Sequence, residues 1–300
     1  MGNLIKAEFR KVLTTKLWWG LLIPTFVLSF AWSLGVGALI DDVSSNVADE
    51  PILRQVGLNT SELPWAIFAL TRSINIAMIF PMIFGALGLA TELHRKTITT
   101  SFLTASSRSA LLTAKAITYA LWGAIFGLVI TLSASLGTVL AADSSILPGF
   151  GDWLLIVLAG LIAAVLWTLL GLGVGALIGA PVGTLVLLLI YALIIGPIAE
   201  LVITGISEGG IWAGLMPNGA GNGLTGSTAG QVIVDTVRTA IENANVMVNE
   251  SAVDALEVAL RIAAGAPGAM VWWASGLVFL AWSLALFGAG MLRNQKRDIT

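Results

Sequence analysis

The sequence predicts an all-α integral membrane protein with six transmembrane helices, an N-terminal interfacial amphipathic helix and both termini in the cytoplasm. Of the 300 residues, 57% are hydrophobic and only 11% are charged, whereas soluble domains carry about 25% charged residues. Six uninterrupted apolar stretches also reach the length of about 20 residues that a helix needs to cross a bilayer. An even number of spans places both termini on one side of the membrane.

Residues 1–16 precede the first apolar stretch and predict an amphipathic helix that lies on the cytoplasmic surface of the membrane. The apolar face of this helix carries Ile5, Phe9, Val12 and Leu13. The basic side chains of the segment lie away from that face. A solvated extension of the first span is the alternative interpretation.

The six predicted spans follow, with boundaries set by the apolar runs. They form a transmembrane domain of residues 17–300 and cover residues 17–40, 65–90, 111–141, 153–178, 183–204 and 270–292. Tryptophans lie near the start of four spans, where they anchor helices at the membrane interface: Trp18, Trp65, Trp153 and Trp272.

Glycine and proline residues within the spans predict close helix contacts and kinks. Glycines recur at every fourth position in spans three and four. Such rows allow close helix contacts, either within the chain or between two copies. Pro24, Pro81 and Pro197 lie inside spans one, two and five and predict kinks.

The distribution of charge predicts the orientation of the spans. Most of the 15 Lys and Arg residues lie on the side that holds both termini and the loop between spans two and three. They are Lys6, Arg10, Lys11, Lys16, Arg95, Lys96, Arg108, Lys115, Arg293, Lys296 and Arg297. Most of the 17 Asp and Glu residues lie on the opposite side. Because basic residues accumulate on the cytoplasmic side of membrane spans, this side is predicted to be cytoplasmic.

The longest insertion, residues 205–269, lies on the predicted external side between spans five and six. Its first part, residues 205–230, is Gly-rich and apolar but too short to span twice. Irregular backbone at membrane depth has to be covered by protein or line a wet cavity, so we expect a re-entrant hairpin. Residues 231–263 predict two amphipathic helices that form an external cap.

Composition excludes several kinds of site. The chain has no Cys and one His, which removes Cys-ligated zinc, iron–sulfur clusters, thiol nucleophiles and multi-histidine metal sites. It also lacks the Gly-x-x-x-x-Gly-Lys-Ser/Thr loop that holds nucleotide phosphates. We therefore expect that this chain binds no metal or cofactor and is not itself an enzyme.

The segment at residues 90–116 carries the most specific pattern. Glu92 ends span two, His94, Arg95, Lys96 and Thr97 follow it, and Arg108 and Lys115 lead into span three. This arrangement resembles the permease subunits of ABC-2 type transporters, in which a Glu ends the second span, a basic residue and Thr follow, and a Leu…Ser-Arg…Lys run re-enters the membrane. Lys96 stands where that family often has Gly, and Ala105-Ser106 where it often has Pro.

The resemblance covers the layout of the whole chain and implies an exporter in a bacterial plasma membrane. Two such permeases, identical or related, would pair with two separate ATPase subunits that bind ATP and Mg²⁺. The cytoplasmic loop of residues 91–110 would act as a coupling helix docked on the ATPase. The residues implied in coupling are Glu92, His94, Arg95, Lys96, Thr97 and Arg108.

We therefore expect a permease subunit that exports an amphipathic or hydrophobic compound, such as a drug, an antimicrobial peptide or a lipid-like molecule. Membrane lipid is an expected partner, and nucleic acid is not. Arg72 and Glu200 lie at similar predicted depths near the outer ends of spans two and five, so they predict a gate ion pair, with separate snorkelling to the headgroups as the alternative. The polar residues expected along the pathway are Ser29, Ser33, Thr71, Ser73 and Asn75.

An ion-coupled secondary transporter or channel, working without ATP, is the alternative function. That class usually places carboxylates or broken helices near the middle of the membrane. No Asp or Glu lies at the middle of a predicted span. The sequence pattern therefore favours the exporter, and an ATPase gene next to this one would discriminate between the two.

Overall fold

A computed structural model of the protein describes residues 1–48, 63–105, 107–244, 250–268 and 270–295. In these ranges the regular structure is helical, and no β-strand occurs. Six helical segments are long and apolar enough to cross a membrane. The prediction of an all-α, multi-pass membrane protein is thus confirmed at this level. The predicted basic residues Lys296 and Arg297 lie outside the described ranges, as does most of the segment joining spans one and two.

The helices are numbered here in chain order. They are α1 (Gly2–Thr14), α2 (Leu17–Ala48), α3 (Ala66–Ala77), α4 (Ile79–His94), α5 (Ile98–Thr104), α6 (Arg108–Ala141), α7 (Phe150–Ile178), α8 (Pro181–Ile190), α9 (Gly196–Ile206), α10 (Pro217–Ala244), α11 (Glu250–Ala264) and α12 (Trp272–Gln295). A π-helical turn, Tyr191–Ile195, joins α8 to α9, and 3₁₀ turns lie at Ser144–Ile146 and Ile211–Leu215. The spans are α2, α3 with α4, α6, α7, α8 with α9, and α12.

Two of the spans are interrupted next to a proline. Span two breaks at Met78 because Pro81 has no N–H to donate to the carbonyl four residues earlier. In span five, Pro197 has the same defect, and the preceding residues Tyr191–Ile195 form the π-helical turn. Helix α2, by contrast, continues through Pro24.

The two ends of the bundle differ in charge. Arg108, at the start of α6, donates from Nη1 to the carbonyl oxygen of Gln295 at the end of α12, over 3.0 Å. Lys115 on α6 pairs with Glu8 on α1. Helix α1, the start of α6 and the end of α12 therefore lie together at one end, which we call the basic end. The opposite end, which carries α11 and the C-terminal half of α10, we call the acidic end.

Helix α7 forms the centre of the bundle and packs against α4, α6, α10 and α12. Its backbone touches that of α4, because glycines lie at the crossing. A Cβ atom added at Gly85 would lie 1.9 Å from the carbonyl oxygen of Thr168, and one at Gly171 would lie 2.1 Å from that of Met82. The glycine row of span four thus serves packing within the chain. Spans one, five and six are the least buried, and their exposed apolar side chains suit contact with lipid.

The insertion between spans five and six returns to the interior of the bundle. After α9, the chain folds back so that the backbone N–H of Asn218 lies 3.4 Å from the hydroxyl oxygen of Tyr191. Helix α10 then begins at Pro217 and runs without a break to Ala244. The predicted boundary at residue 231 is therefore wrong, because α10 includes the second half of the segment predicted as a hairpin.

Close packing at the glycines of α10 explains why a helix forms where the sequence predicted a hairpin. Gly helps little to form a helix, but here its lack of a side chain allows close contacts. A Cβ atom at Gly221 would lie 3.0 Å from the indole of Trp167, and one at Gly226 would lie 2.5 Å from the carbonyl oxygen of Ala264. Tertiary packing thus overrides the weak helix propensity of the segment.

The contact at Gly85 gives a direct test of the packing. We expect Gly85→Ala to lower the free energy of unfolding by about 1–3 kcal/mol, because the added methyl group forces two helix backbones apart. Thermal unfolding of the detergent-solubilised chain measures this change. Gly35→Ala is the matched control, since no heavy atom lies within 4 Å of a Cβ atom at Gly35. Equal stability of the two variants would contradict the packing described.

Candidate functional site

A buried cluster of charges joins three helices at the basic end. The ammonium group of Lys115, on α6, lies 2.5 Å from Glu8 Oε2 on α1 and 2.7 Å from Glu92 Oε1 on α4. Lys115 is fully buried. Lys11 Nζ lies 2.7 Å from the same Glu92 oxygen. Two ammonium groups therefore balance two carboxylates, which offsets much of the cost of removing these charges from water.

Aromatic packing holds α1 at the same place. Phe9 stacks on Trp122 of α6 with ring centroids 5.4 Å apart, and Trp18 lies 5.6 Å from the same indole. Val12 is buried. The inward face of α1 thus carries Glu8 as well as apolar residues, while Leu13, predicted on the apolar face, is 46% exposed.

The basic residues of the loop after span two are exposed on the surface of the protein. His94, Arg95, Lys96 and Thr97 are exposed. Helix α4 ends here because Lys96 takes a left-handed backbone conformation with φ of 57°, a geometry that Gly adopts more readily. The family that the sequence resembles often has Gly at this position.

The two remaining residues of the predicted coupling set have internal roles. Glu92 is buried in the charge cluster, where its carboxylate pairs with Lys115. Arg108 contacts the last turn of α12 and lies over the ring of Phe102 on α5, 5.3 Å from its centroid. Arg108 therefore links the start of α6 to both α5 and α12.

A second site is a cavity of about 420 Å³ between spans one, two, four and five and the start of α10. Most of its wall is apolar or aromatic, including Trp32, Met82 and Trp167. Polar groups come from Arg72, Asn75, Asn218 and Asn222. The indole N–H of Trp167 has no hydrogen-bond partner. The cavity thus combines a large apolar surface with a few amide groups.

The amide of Asn75 links span two to α10. Its Oδ1 atom accepts a hydrogen bond from Thr225 Oγ1 over 2.6 Å, and its Nδ2 atom lies 3.4 Å from the carbonyl oxygen of Asn222. Asn75 is the one residue of the predicted pathway set that lines the cavity.

The other four predicted pathway residues serve helix structure. Ser29 and Ser33 on α2 donate to the carbonyl oxygens of Ile130 and Ala134 on α6, over 3.0 and 2.7 Å. Thr71 and Ser73 donate to carbonyl oxygens of their own helix, three or four residues earlier. Each of these hydroxyls is therefore satisfied by nearby backbone, as is usual inside a membrane helix, and their place in a transport pathway stays a prediction.

Arg72 and Glu200 do not form the predicted ion pair among the described residues. The guanidinium group of Arg72 instead donates to the carbonyl oxygens of Ala263, over 2.7 Å, and of Ile262 at the end of α11. The carbonyl of Ile262 also accepts a hydrogen bond from the backbone N–H of Gly265 over 3.1 Å. Carbonyl oxygens at the C-terminal end of a helix carry partial negative charge, which favours a cation there.

Glu200 is buried and interacts with the side chain of Asn218. Its Oε1 atom has no partner. Asn218 lines the cavity together with Arg72, so the two charged residues lie near the same cavity without touching.

Comparison with known proteins assigns no family, so the class of protein rests on the geometry described above. No protein-family model and no curated protein matches the chain. The fold and the two sites define a multi-pass membrane protein with a charge cluster and basic loop at one end and an amide-lined apolar cavity within the bundle.

The charge cluster predicts a large effect of removing Lys115. We expect Lys115→Met to lower the free energy of unfolding by about 3–5 kcal/mol, because two buried carboxylates lose their shared partner. Adding Glu8→Gln should restore part of that loss, since Lys11 and Glu92 then remain as a balanced pair. Thermal unfolding of the single and double variants in detergent measures both effects. Additive losses in the double variant would contradict the cluster.

Proposed function

We propose that the chain is the permease subunit of an ABC exporter, which moves an amphipathic or hydrophobic compound out of the cytoplasm or the inner leaflet. One observation carries the proposal: the exposed basic loop and the cavity lie on the same span. The loop follows α4 directly, α3 contributes Arg72 and Asn75 to the cavity, and the break at Met78 lies between them on the cavity wall.

In this proposal, span two transmits movement from the loop to the cavity. A partner that hydrolyses ATP would push on His94, Arg95 and Lys96. Helix α4 would move with the loop because the loop follows its last turn directly, and the charge cluster at Glu92 would carry α6 along with it. The break at Met78 lacks a continuous hydrogen-bond ladder, so α3 can change its angle to α4 there. Asn75 would then shift against α10 and alter the cavity.

The cavity wall supports the proposed class of substrate. Its surface is mainly apolar, and its polar groups include three Asn side chains that can donate and accept hydrogen bonds. Arg72, the one charged lining residue of this cavity, is already bound to backbone carbonyls. The site therefore suits an amphipathic compound with amide or hydroxyl groups better than a strongly ionic one.

In this proposal, partner subunits supply the energy of ATP hydrolysis and complete the transport pathway. Two ATPase subunits would bind ATP and Mg²⁺, and a second permease, identical or related, would complete the transport pathway. The basic end would face the cytoplasm of a bacterial cell, with α1 on the inner surface of the plasma membrane.

An ion-coupled secondary transporter remains the second candidate, and one site favours it. Glu200 is buried with an unpartnered oxygen, close to the π-helical turn of span five. A buried carboxyl group beside a broken helix is a feature of proton-coupled and sodium-coupled carriers. Transport that persists without ATP and stops when an ionophore removes the ion gradient would favour this class.

The exporter proposal predicts that the exposed loop binds an ATPase. Arg95→Ala combined with Lys96→Ala should reduce co-purification with an ATPase subunit encoded nearby at least tenfold, because two exposed charges leave the docking surface. Expression and thermal stability should stay unchanged. Lys6→Ala combined with Arg10→Ala is the control, since it removes equal charge from the exposed face of α1. Unchanged co-purification in the loop variant would refute this docking surface.

The orientation is testable with single cysteines, because the native chain has none. Thr100→Cys and Asp254→Cys place thiols at exposed positions of α5 and α11. In intact cells, an impermeant maleimide should label Asp254→Cys and leave Thr100→Cys unlabelled until the membrane is opened. The reverse pattern would mean that the basic end faces outward.

A further inference from the structure

A second cavity, of about 660 Å³, lies at the basic end between α1, α2 and α4. It shares no lining residue with the cavity at Asn75. Its position is where the polar helix α1 gives way to the apolar helix α2, at residues 14–17. With α1 at the membrane surface, as proposed above, a cavity at this junction would meet both headgroups and acyl chains of the surrounding leaflet.

The charged groups on its wall leave an excess of positive charge. Glu8, Lys11 and Glu92 belong to the charge cluster, where Lys115 supplies the second ammonium group. Lys16 and Arg95 also line the cavity, and both are exposed. Neither forms an ion pair with another described residue. Two cationic groups are therefore available to an anion that enters from the basic end.

The remainder of the wall is apolar. Leu17 and Leu21 of α2 line the cavity together with Phe84 and Leu87 of α4. Gly20 also lines it, and no heavy atom lies within 4 Å of a Cβ atom placed there. The absence of a side chain at Gly20 thus leaves open space beside the apolar wall. The cavity has a cationic rim and an apolar interior.

We propose that this cavity binds an anionic phospholipid. The headgroup phosphate would lie at Lys16 and Arg95, and one acyl chain would lie along Leu21 and Leu87. A bound lipid would contact α1, α2 and the start of the loop together, so it would stabilise the basic end. This proposal depends on the membrane-spanning fold and is independent of what the protein transports.

Three ligands separate the possible sources of the anion. The full chain, purified in detergent, is titrated with phosphatidylglycerol, with phosphatidylcholine of the same acyl chains, and with glycerol 3-phosphate. Native mass spectrometry measures the bound fraction, and thermal unfolding measures stabilisation. We expect binding and stabilisation by phosphatidylglycerol, at least tenfold weaker binding of phosphatidylcholine, and none of glycerol 3-phosphate.

Two variants with matched controls locate the site. Lys16→Glu should weaken phosphatidylglycerol binding about 30-fold, as expected for a charge change of two near an anionic headgroup, whereas Lys6→Glu, outside the cavity, should not. Gly20→Phe fills the apolar part and should also displace the lipid, whereas Gly35→Phe should not. The second pair keeps the test valid if Lys16→Glu folds poorly.

The proposal is overturned by any of three results. Equal binding of phosphatidylglycerol and phosphatidylcholine would mean that the cationic rim does not select an anionic headgroup. Full competition by glycerol 3-phosphate would identify a soluble anion as the occupant. Undiminished phosphatidylglycerol binding in Lys16→Glu and Gly20→Phe would place the lipid elsewhere.

Discussion

The arrangement of the basic end depends on one buried ammonium group. Lys115 is fully enclosed, and burying an unpaired charge would cost several kcal/mol. Its partners come from two other helices, Glu8 on α1 and Glu92 on α4. Helix α1 therefore has to dock with its acidic residue inward, and α4 has to end where its carboxylate reaches α6. The exposed loop and the lipid-sized cavity both follow from these two requirements.

Span two connects the charge cluster to the cavity inside the bundle. Its lower helix α4 ends in the charge cluster, and its upper helix α3 carries Asn75 into the cavity, where the amide contacts α10. Pro81 interrupts the hydrogen-bond ladder between the two. In the proposed function, these contacts at the two ends and the weak point between them would allow a small displacement at the loop to reach the cavity. This geometry is the physical basis of the proposed coupling.

Much of the fold could be predicted from hydropathy, because a span must be long and apolar whatever it packs against. The contacts of individual polar residues could not be predicted in the same way. Ser29 and Ser33 are as polar as Asn75, but backbone carbonyls of α6 satisfy them. Arg72 reaches carbonyls some 190 residues away in sequence, a partner that no local pattern indicates. Likewise, the pairing of Glu8 with Lys115 becomes visible only when α1 has docked.

The claim that Lys115 holds both α1 and the end of α4 has a direct test in backbone amide hydrogen exchange. The measurement compares wild type with Lys115→Met in the same detergent. The account predicts faster exchange in α1 and in the last turns of α4 together, with the buried start of α10 unchanged. Faster exchange in neither helix, or an equal increase throughout the bundle, would contradict it.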